Sequence, residues 1–511
     1  MMIIDNKKIF ILIFIIIIIF FLILSFQNIN QPFIHVSEDT NGQNGIAALN
    51  ILKYGIKETK FGLYVSWLDG EKKFNDLTSN FYAHHPSWFI LPTLILYKFF
   101  GINEFTTRLG PLILMLLSII LLSFAFKKIF NENIFLTFIS LLIFVILPGT
   151  IYYSKHLDPS PPVLAGSIIT YSLFIFYYFK SSKYNLFLFL FSIIFGIAMG
   201  WHYAAMPISL WLFIVLLKLY KNNNKIKLLI FLIPLFTLIG VLIQLYHIYL
   251  LNGAYAIYDL LFNAYEGRSG FYLKYLNWWK IIYERSKLNF TPIFIFGFLI
   301  GLILWIYDSI KFKNEQNKKN NKINKIIETP KFIFIFPLII MPIIITIFFQ
   351  QWSTHPFGVI FYLPAVALLN CYLLYKVYIK NVGIGILLTT IVLIIGLISS
   401  ISNLNFFYNK FLILDNNDIN LLKELKKEIN SKELCLGRNQ NLYYGGIVGF
   451  YLQKEILLSP ECLEKKYKNQ TKYALILNPS IDEFNKNEFE LFQQNNFKFI
   501  GCSGFFCLMG K

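Results

Sequence analysis

The chain has 511 residues, of which 56% are hydrophobic and 14% charged, and this composition excludes an ordinary soluble protein. The formal net charge is +18, yet the lysines are concentrated in short segments between apolar runs, as in the cytoplasmic loops of polytopic membrane proteins. The positive charge therefore indicates membrane topology, and we expect a lipid bilayer rather than a nucleic acid as the partner.

Apolar runs near the length that crosses ~30 Å of hydrocarbon recur along the chain. The first, residues 9–26, follows two lysines but precedes no small-residue cleavage site, so it is predicted to be a retained anchor. The other predicted spans are 109–126, 134–153, 161–179, 184–200, 203–220, 227–250, 291–310, 332–350, 357–378 and 383–402. The run Ser87–Phe100 is short for a span, and we expect it to lie on the outer surface.

With eleven spans, every lysine-rich loop falls on the inner side of a plasma (inner) membrane, the N-terminus is cytoplasmic and the C-terminus is extracytoplasmic. Residues 1–402 are predicted to form the transmembrane domain, with 27–86 as a first outer loop that carries juxtamembrane helices. Residues 403–511 alternate helix-like stretches such as Ile419–Ile429 with strand-like ones such as Tyr473–Leu477, which predicts a small outer α/β domain. We expect this domain to be a lid or an acceptor-docking module.

Four of the five cysteines fall in this C-terminal segment. An even number of cysteines confined to one polar domain suggests disulfides formed in an oxidising compartment, and the spacing is unlike that of a zinc module. The short Cys502–Cys507 loop suits one bridge, which leaves Cys435 for Cys462, although sequence alone does not determine the connectivity. Cys371 lies in an apolar run and is predicted to be a packing residue.

Three carboxylates are candidates for chemistry at the outer membrane surface. Glu38 and Asp39 stand just after the first span, and Asp158 lies in a very short loop that the predicted topology brings to the same face. The alternative is that the acidic pair caps a helix from about Gly42 to Tyr54, and that Asp158 caps the helix that follows it.

Cations accompany these acids on the outer side. The chain has only four arginines, all predicted to lie outside, which suggests a need for planar, bidentate donors of the kind that bind phosphate. They are Arg108, Arg268, Arg285 and Arg438. Six of the seven histidines are predicted on the same side, namely His35, His84, His85, His156, His202 and His355. Carboxylates with cations at a lipid boundary suit a reaction on a phosphorylated lipid, in which a carboxylate takes a hydroxyl proton and cations stabilise a departing phosphate.

Several motifs then resemble those of the membrane-embedded C-type glycosyltransferases, among them the protein O-mannosyltransferases and the aminoarabinose transferases of lipid A. Glu38-Asp-Thr-Asn-Gly with the helix to Gly55 resembles their first acidic motif, and His85-Pro-Ser-Trp through Arg108 resembles their HPPL-type helix and its continuation. Tyr152–Pro159 is similar to their second acidic motif. The resemblance covers residues 1–400.

The resemblance implies a polytopic α-helical protein of GT-C type with about eleven transmembrane helices. It implies an inverting transfer from a polyprenyl-phosphate sugar to a lipid, glycan or protein acceptor, with Asp39 as the base, Glu38 beside it and Asp158 binding or orienting the acceptor. The residues placed around the donor phosphate are Arg108, Arg268, His202 and His355. The acidic pair is Glu-Asp where relatives have Asp-Glu, so which acid is the base stays open.

His84 and His85 stand where some aminoarabinose transferases carry Glu-Lys, and they are candidates for acceptor or metal binding. No cofactor is expected to be required, and a divalent metal is possible. The main alternative function is a multi-span transporter or flippase of an envelope lipid or solute. Against it, the acids cluster at one surface and no predicted span carries an acid near its middle.

Overall fold

The computed structural model is built mainly of apolar helices. It describes residues 6–35, 38–65, 85–218, 224–264, 276–318, 332–410, 414, 416–428, 434–436, 445–453, 457–458, 472–477, 483–503 and 506–511. In chain order the helices are α1 (Asn6–Ser25), α2 (Asp39–Thr59), α3 (Leu91–Phe100), α4 (Glu104–Ile129), α5 (Ile134–Ile146), α6 (Pro148–Tyr153), α7 (Ser160–Phe179), α8 (Lys183–Met199), α9 (Ala205–Lys218), α10 (Asn224–Tyr258), α11 (Leu276–Phe290), α12 (Pro292–Lys318), α13 (Phe336–Phe348), α14 (Leu363–Lys380), α15 (Val382–Lys410), α16 (Asn416–Glu428), α17 (Gly445–Leu452) and α18 (Glu483–Gln494).

Each of the eleven predicted spans coincides with apolar helix. Among the described residues, 8 helices are long and apolar enough to cross a membrane, and the runs that contain α5, α8 and α13 are shorter. The predicted span 134–153 is broken into α5 and α6, because Leu147 takes an extended conformation before Pro148, whose ring disfavours helix at the preceding residue. The predicted fold class, a polytopic α-helical membrane protein, is confirmed.

Burial separates the helices into a central set and a peripheral set. The apolar windows of α7 and α14 are both 72% buried inside the protein, whereas those of α12 and α15 are 17% buried. The peripheral helices present exposed Ile, Leu and Phe side chains along their length, which suits contact with lipid chains. The helices with mostly buried side chains therefore form the centre of the helical domain.

The run Ser87–Phe100 forms a helical turn, Trp88–Ile90, and the short helix α3. Helix α3 ends at Gly101, whose φ of 77° lets the chain reverse into α4. The two helices pack closely, since a Cβ on Gly110 would lie 2.0 Å from the hydroxyl oxygen of Thr93. The short run is thus folded back against α4. In helix α2 the chain is kinked at Gly55, where φ is 84°.

The C-terminal segment forms the predicted α/β domain. Its strands are β1 (Leu434–Leu436), β2 (Leu457–Leu458), β3 (Tyr473–Leu477), β4 (Lys498–Ser503) and β5 (Phe506–Gly510). They form a mixed sheet in the order β2-β1-β3-β5-β4, parallel from β2 to β3 and antiparallel for β3-β5 and β5-β4. Helix α15 runs to Lys410, past the boundary predicted at residue 402.

Side chains alternate across this sheet as strands require. On one face Cys435, Ala474 and Ile476 form a small core with Phe492 of α18. On the other face Leu475 and its neighbours join the main core, together with residues of α17. The predicted Cys502–Cys507 disulfide links β4 to β5. Cys435 is also disulfide-bonded. Its expected partner, Cys462, lies outside the described residues. Cys371 has a free thiol and is buried, as predicted.

Candidate active site

The segment between α1 and α2 is organised around the carboxylate of Glu38. Oε2 of Glu38 accepts hydrogen bonds from the backbone N–H of Ile34 at 3.0 Å and of His35 at 3.3 Å. The ring Nδ1 of His35 lies 2.8 Å from the same oxygen and donates to it, since a carboxylate accepts. Glu38 stands at the N-cap position of α2, but its side chain turns back to stabilise the segment before it.

The other oxygen of Glu38 binds Arg108. A capping box between Asn103 and Thr106 starts α4 and so places Arg108 in its second turn. Nη2 of Arg108 lies 2.5 Å, and Nε 3.2 Å, from Oε1 of Glu38. The remaining donors of Arg108 bind backbone carbonyls before the acidic pair, namely those of Ile29, Gln31 and Pro32. These hydrogen bonds engage the guanidinium within the protein itself.

This arrangement decides the ionisation of Glu38. Burial alone would raise the pKa of Glu38, but the charge of Arg108, together with His35 and His156, holds that pKa well below its ordinary value. A carboxylate held so firmly in its anionic form is a weak proton acceptor. Glu38 is therefore suited to fixing the segment rather than to acting as a base.

Asp39, the first residue of α2, lies apart from this ion pair. Its Oδ2 accepts a hydrogen bond of 2.7 Å from the side chain of Gln43, one turn further along the helix. Its Oδ1 accepts from the backbone N–H of Ile447, at 3.2 Å, in the first turn of α17. Asp39 as a whole is 8% exposed and lies where α2 meets the C-terminal domain.

The structure brings Asp158 to the same place, as the predicted topology requires. Asn41 accepts a hydrogen bond from the backbone N–H of Leu157 at 2.6 Å, and Asn44 donates to the carbonyl of Leu157 at 2.7 Å. Both asparagines lie in the first two turns of α2, so they hold the loop against the helix that begins at Asp39. Asp158 also accepts from the N–H of Ser160 at 2.9 Å, so the capping contact expected as its alternative role is present.

Lys155 was not singled out from the sequence. Its ammonium donates to the carbonyls of Ser25 and Gln27 at the end of α1 and lies 5.0 Å from the ring centre of Tyr408. Burial, and next the charge of Arg108, lowers the pKa of Lys155 to about 7, against the opposing charge of Glu38. A signal existed in the sequence, because Lys155 lies in the same very short predicted outer loop as Asp158.

His156, beside Lys155, is held neutral. Burial is the main cause that lowers the pKa of His156 to about 3, although Glu38 opposes it. Its Nδ1 lies 2.8 Å from the carbonyl of Tyr152 and donates to it. Lys155 and Arg108 together bind the carbonyls of five residues at the end of α1 and in the segment before α2: Ser25, Gln27, Ile29, Gln31 and Pro32. Two buried cations thus fix the path of the chain into the acidic pair.

The remaining predicted residues fall into two further groups. His202 and His85 are both buried, and their rings meet edge to face with centroids 6.3 Å apart, while Phe361 lies against His202 at 5.3 Å. His355 is exposed and stacks on Phe357 at 5.2 Å. His202, a candidate for binding the donor phosphate, thus lies beside His85, a candidate for acceptor or metal binding. Arg268 and His84 lie outside the described residues.

Arg285 of α11 stands close to the group around His355. Its Nε donates to the carbonyl of Thr354 at 3.4 Å. The sequence predicts this arginine on the outer side, and the structure places it beside Thr354, the residue before His355.

Comparison with known proteins bears on the fold. Neither a protein-family model nor a curated protein sequence matches the chain. The crystal structure of ArnT from Cupriavidus metallidurans bound to undecaprenyl phosphate is similar with a TM-score of 0.66 and 11% identity, covering 97% of both chains. The oligosaccharyltransferase of Archaeoglobus fulgidus, in complex with zinc and sulfate, is similar with a TM-score of 0.59 and 11% identity over 97% of this chain and 72% of that one. The chain has the GT-C fold.

The apo form of ArnT gives nearly the same result, with a TM-score of 0.67, so the likeness does not depend on the bound lipid. The GT-C fold confirms the architecture that the resemblance implied. Within the described part of this GT-C protein, no group of three or more His, Cys, Asp or Glu side chains is placed to hold a metal ion. A divalent metal stays a prediction.

Proposed function

We propose that this protein is an inverting glycosyltransferase that moves a sugar from a polyprenyl-phosphate donor to an extracytoplasmic lipid, glycan or protein acceptor. The observation that carries the proposal is the docking of the Asp158 loop onto the start of α2, where Asn41 and Asn44 bind the backbone of Leu157. The GT-C fold, shared with an ArnT that was crystallised with undecaprenyl phosphate, supports the donor class.

In the proposed reaction Asp39 is the general base. The acceptor hydroxyl attacks the anomeric carbon from the face opposite the phosphate, and its proton passes to a carboxylate oxygen of Asp39 as the new C–O bond forms. The bond from the anomeric carbon to the phosphate oxygen breaks, and its electron pair leaves with the polyprenyl phosphate. Glu38 is the poorer candidate because its pKa is held low by Arg108, and a base benefits from a pKa nearer neutrality.

The departing phosphate is already anionic, so it needs fixed cations more than a general acid. For Arg108, whose hydrogen bonds go to Glu38 and to backbone carbonyls, we propose a role in positioning the acidic segment. We assign the phosphate to Arg268, His202 and His355, and we add Arg285 because it binds the carbonyl of Thr354, the residue before His355. Asp158 is proposed to orient the acceptor.

The hydrogen bonds that Glu38, Arg108 and Lys155 make within the protein serve to place the proposed base precisely. A reaction between two bound groups gains most when the attacking atom and its base are held in one geometry, and small misplacements cost large factors in rate. Glu38, Arg108 and Lys155 fix the chain on the N-terminal side of Asp39. We propose a plasma-membrane location with a cytoplasmic N-terminus and an extracytoplasmic C-terminal domain.

The experiment is glycosyl transfer by purified protein from polyprenyl-phosphate sugars, with and without a chelator. We expect Asp39→Asn to lower turnover by ~10²-fold or more while donor binding stays largely intact. Glu58→Gln, an exposed acid on the same helix, is the matched control and should be neutral. Near-normal transfer by folded Asp39→Asn would refute the assigned base. Mass spectrometry of envelope glycans and lipids from a deletion strain would identify the acceptor.

A further inference from the structure

The proposed base is held from two sides, by two different domains. Gln43 of α2 binds Oδ2 of Asp39 at 2.7 Å, and the backbone N–H of Ile447 in α17 binds Oδ1 at 3.2 Å. We infer that the C-terminal domain completes the active site, with the Ile447 N–H as a positioning group for the Asp39 carboxylate. This inference rests on the proposed function.

The local structure of α17 suits this contact. The first N–H groups of a helix have no acceptor within the helix, and the N-terminal end of the helix dipole attracts anions. Ile447 is the third residue of α17, after Gly445 and Gly446, which place no side chain between the backbone and the carboxylate. Asp39 therefore satisfies a donor that the helix itself leaves open.

Packing fixes where this N–H lies. Phe450 packs so closely on α2 that a Cβ on Gly45 would lie 3.1 Å from its ring, and it contacts Phe33 with centroids 4.9 Å apart. The hydroxyl of Tyr451 accepts from the backbone N–H of Phe33 at 2.9 Å and donates to Glu104 at 2.9 Å. Helix α17 is thus bound to α2, to the segment before it and to the start of α4.

These contacts distinguish the inference from a loosely attached docking module. A module that only recruits acceptor would affect acceptor binding, whereas a group that orients the base affects the chemical step. The C-terminal domain should therefore contribute to kcat through one backbone hydrogen bond.

The test compares two changes at Ile447. Ile447→Pro removes the N–H, and proline is tolerated in the first turn of a helix. Ile447→Ala shortens the same buried side chain but keeps the N–H. We expect kcat to be lower in Ile447→Pro than in Ile447→Ala by a factor of up to about ten. Loss of one hydrogen bond to a charged group would give a change of this size. The KM for the acceptor should be similar in the two variants. In an Asp39→Ala background the two variants should turn over equally, because there is no carboxylate left to position.

Hydrogen exchange supplies a measurement that needs no substrate. The Ile447 amide should exchange faster in Asp39→Ala than in the wild type, and Glu58→Gln should leave it unchanged. Equal kcat for Ile447→Pro and Ile447→Ala, a difference that persists without Asp39, or unchanged exchange would each overturn the inference. If the wild type transfers no sugar, the proposed function fails and the inference fails with it, and the exchange result still shows whether the contact exists.

Discussion

Arg108 and Glu38 form an ion pair whose side chains are only 2% and 5% exposed, with 2.5 Å between Nη2 and Oε1. Removing two charges from water is costly, and only good geometry and further hydrogen bonds repay it. Here the carboxylate also binds Ile34 and His35, and the guanidinium also binds three carbonyls. The pair ties the start of α4 to the residue before the proposed base.

Glu38→Gln should therefore be strongly destabilising. The amide leaves the charge of Arg108 buried without its partner, which typically costs about 3–5 kcal/mol. Thermal unfolding of the detergent-purified protein measures this. Glu132→Gln is the control, because Glu132 pairs with Lys127 and Lys128 at a site where its side chain is 49% exposed, and such pairs contribute about 0–1 kcal/mol. Similar shifts for both variants would contradict the structural role of Glu38.

Lys155 should give the stability a distinct pH dependence. Its pKa is lowered from 10.5 to about 7 in the folded chain, chiefly by burial. Between these values the unfolded chain binds a proton that the folded chain does not, so the stability of the wild type rises with pH. Below about pH 7 the ammonium of Lys155 is charged in the folded chain as well, and the free-energy cost of burying it lowers the stability by its full amount.

Lys155→Met lacks this titration. The stability difference between Lys155→Met and the wild type should change steadily in favour of the wild type from about pH 7 to about pH 10. Unfolding midpoints across that range measure the slope. A pH-independent gap for Lys155→Met would show that Lys155 titrates normally.

Asp158→Asn separates the two roles of Asp158. Asparagine keeps an oxygen for the N–H of Ser160, so the unfolding midpoint should barely change. Loss of the charge should lower transfer by about tenfold or more, with a raised KM for the acceptor. Asn41→Ala, which undocks the loop from α2, should lower both stability and transfer. Full activity in Asp158→Asn would leave only the capping role.

Cysteine labelling of whole cells tests the orientation. Ser181, between α7 and α8, and Gln494, at the end of α18, are both exposed positions. A membrane-impermeant thiol reagent should label Gln494→Cys in intact cells and Ser181→Cys only after permeabilisation. The buried thiol of Cys371 and the Cys502–Cys507 bridge should contribute little background. Labelling of Ser181→Cys in intact cells would reverse the topology.

Local patterns in the sequence were enough for most of the architecture. Hydropathy located all eleven apolar runs, because spanning helices need continuous apolar length. The strand-like run Tyr473–Leu477 is strand β3, and the Cys502–Cys507 bridge that the short loop suggested is present. The break at Pro148 was also readable, since a residue before proline avoids helix, yet it was not predicted.

What the sequence determined by itself is therefore the membrane helices, the C-terminal α/β domain and the presence of acids beside cations. Only the tertiary structure distinguished the surroundings of Glu38 from those of Asp39, because these depend on Arg108, 70 residues away from Glu38, and on Ile447, 408 residues away from Asp39. The same holds for Lys155, whose pKa falls because it is buried. Burial, and contacts between distant segments, arise only when the chain packs, and they set the ionisation and orientation of each group.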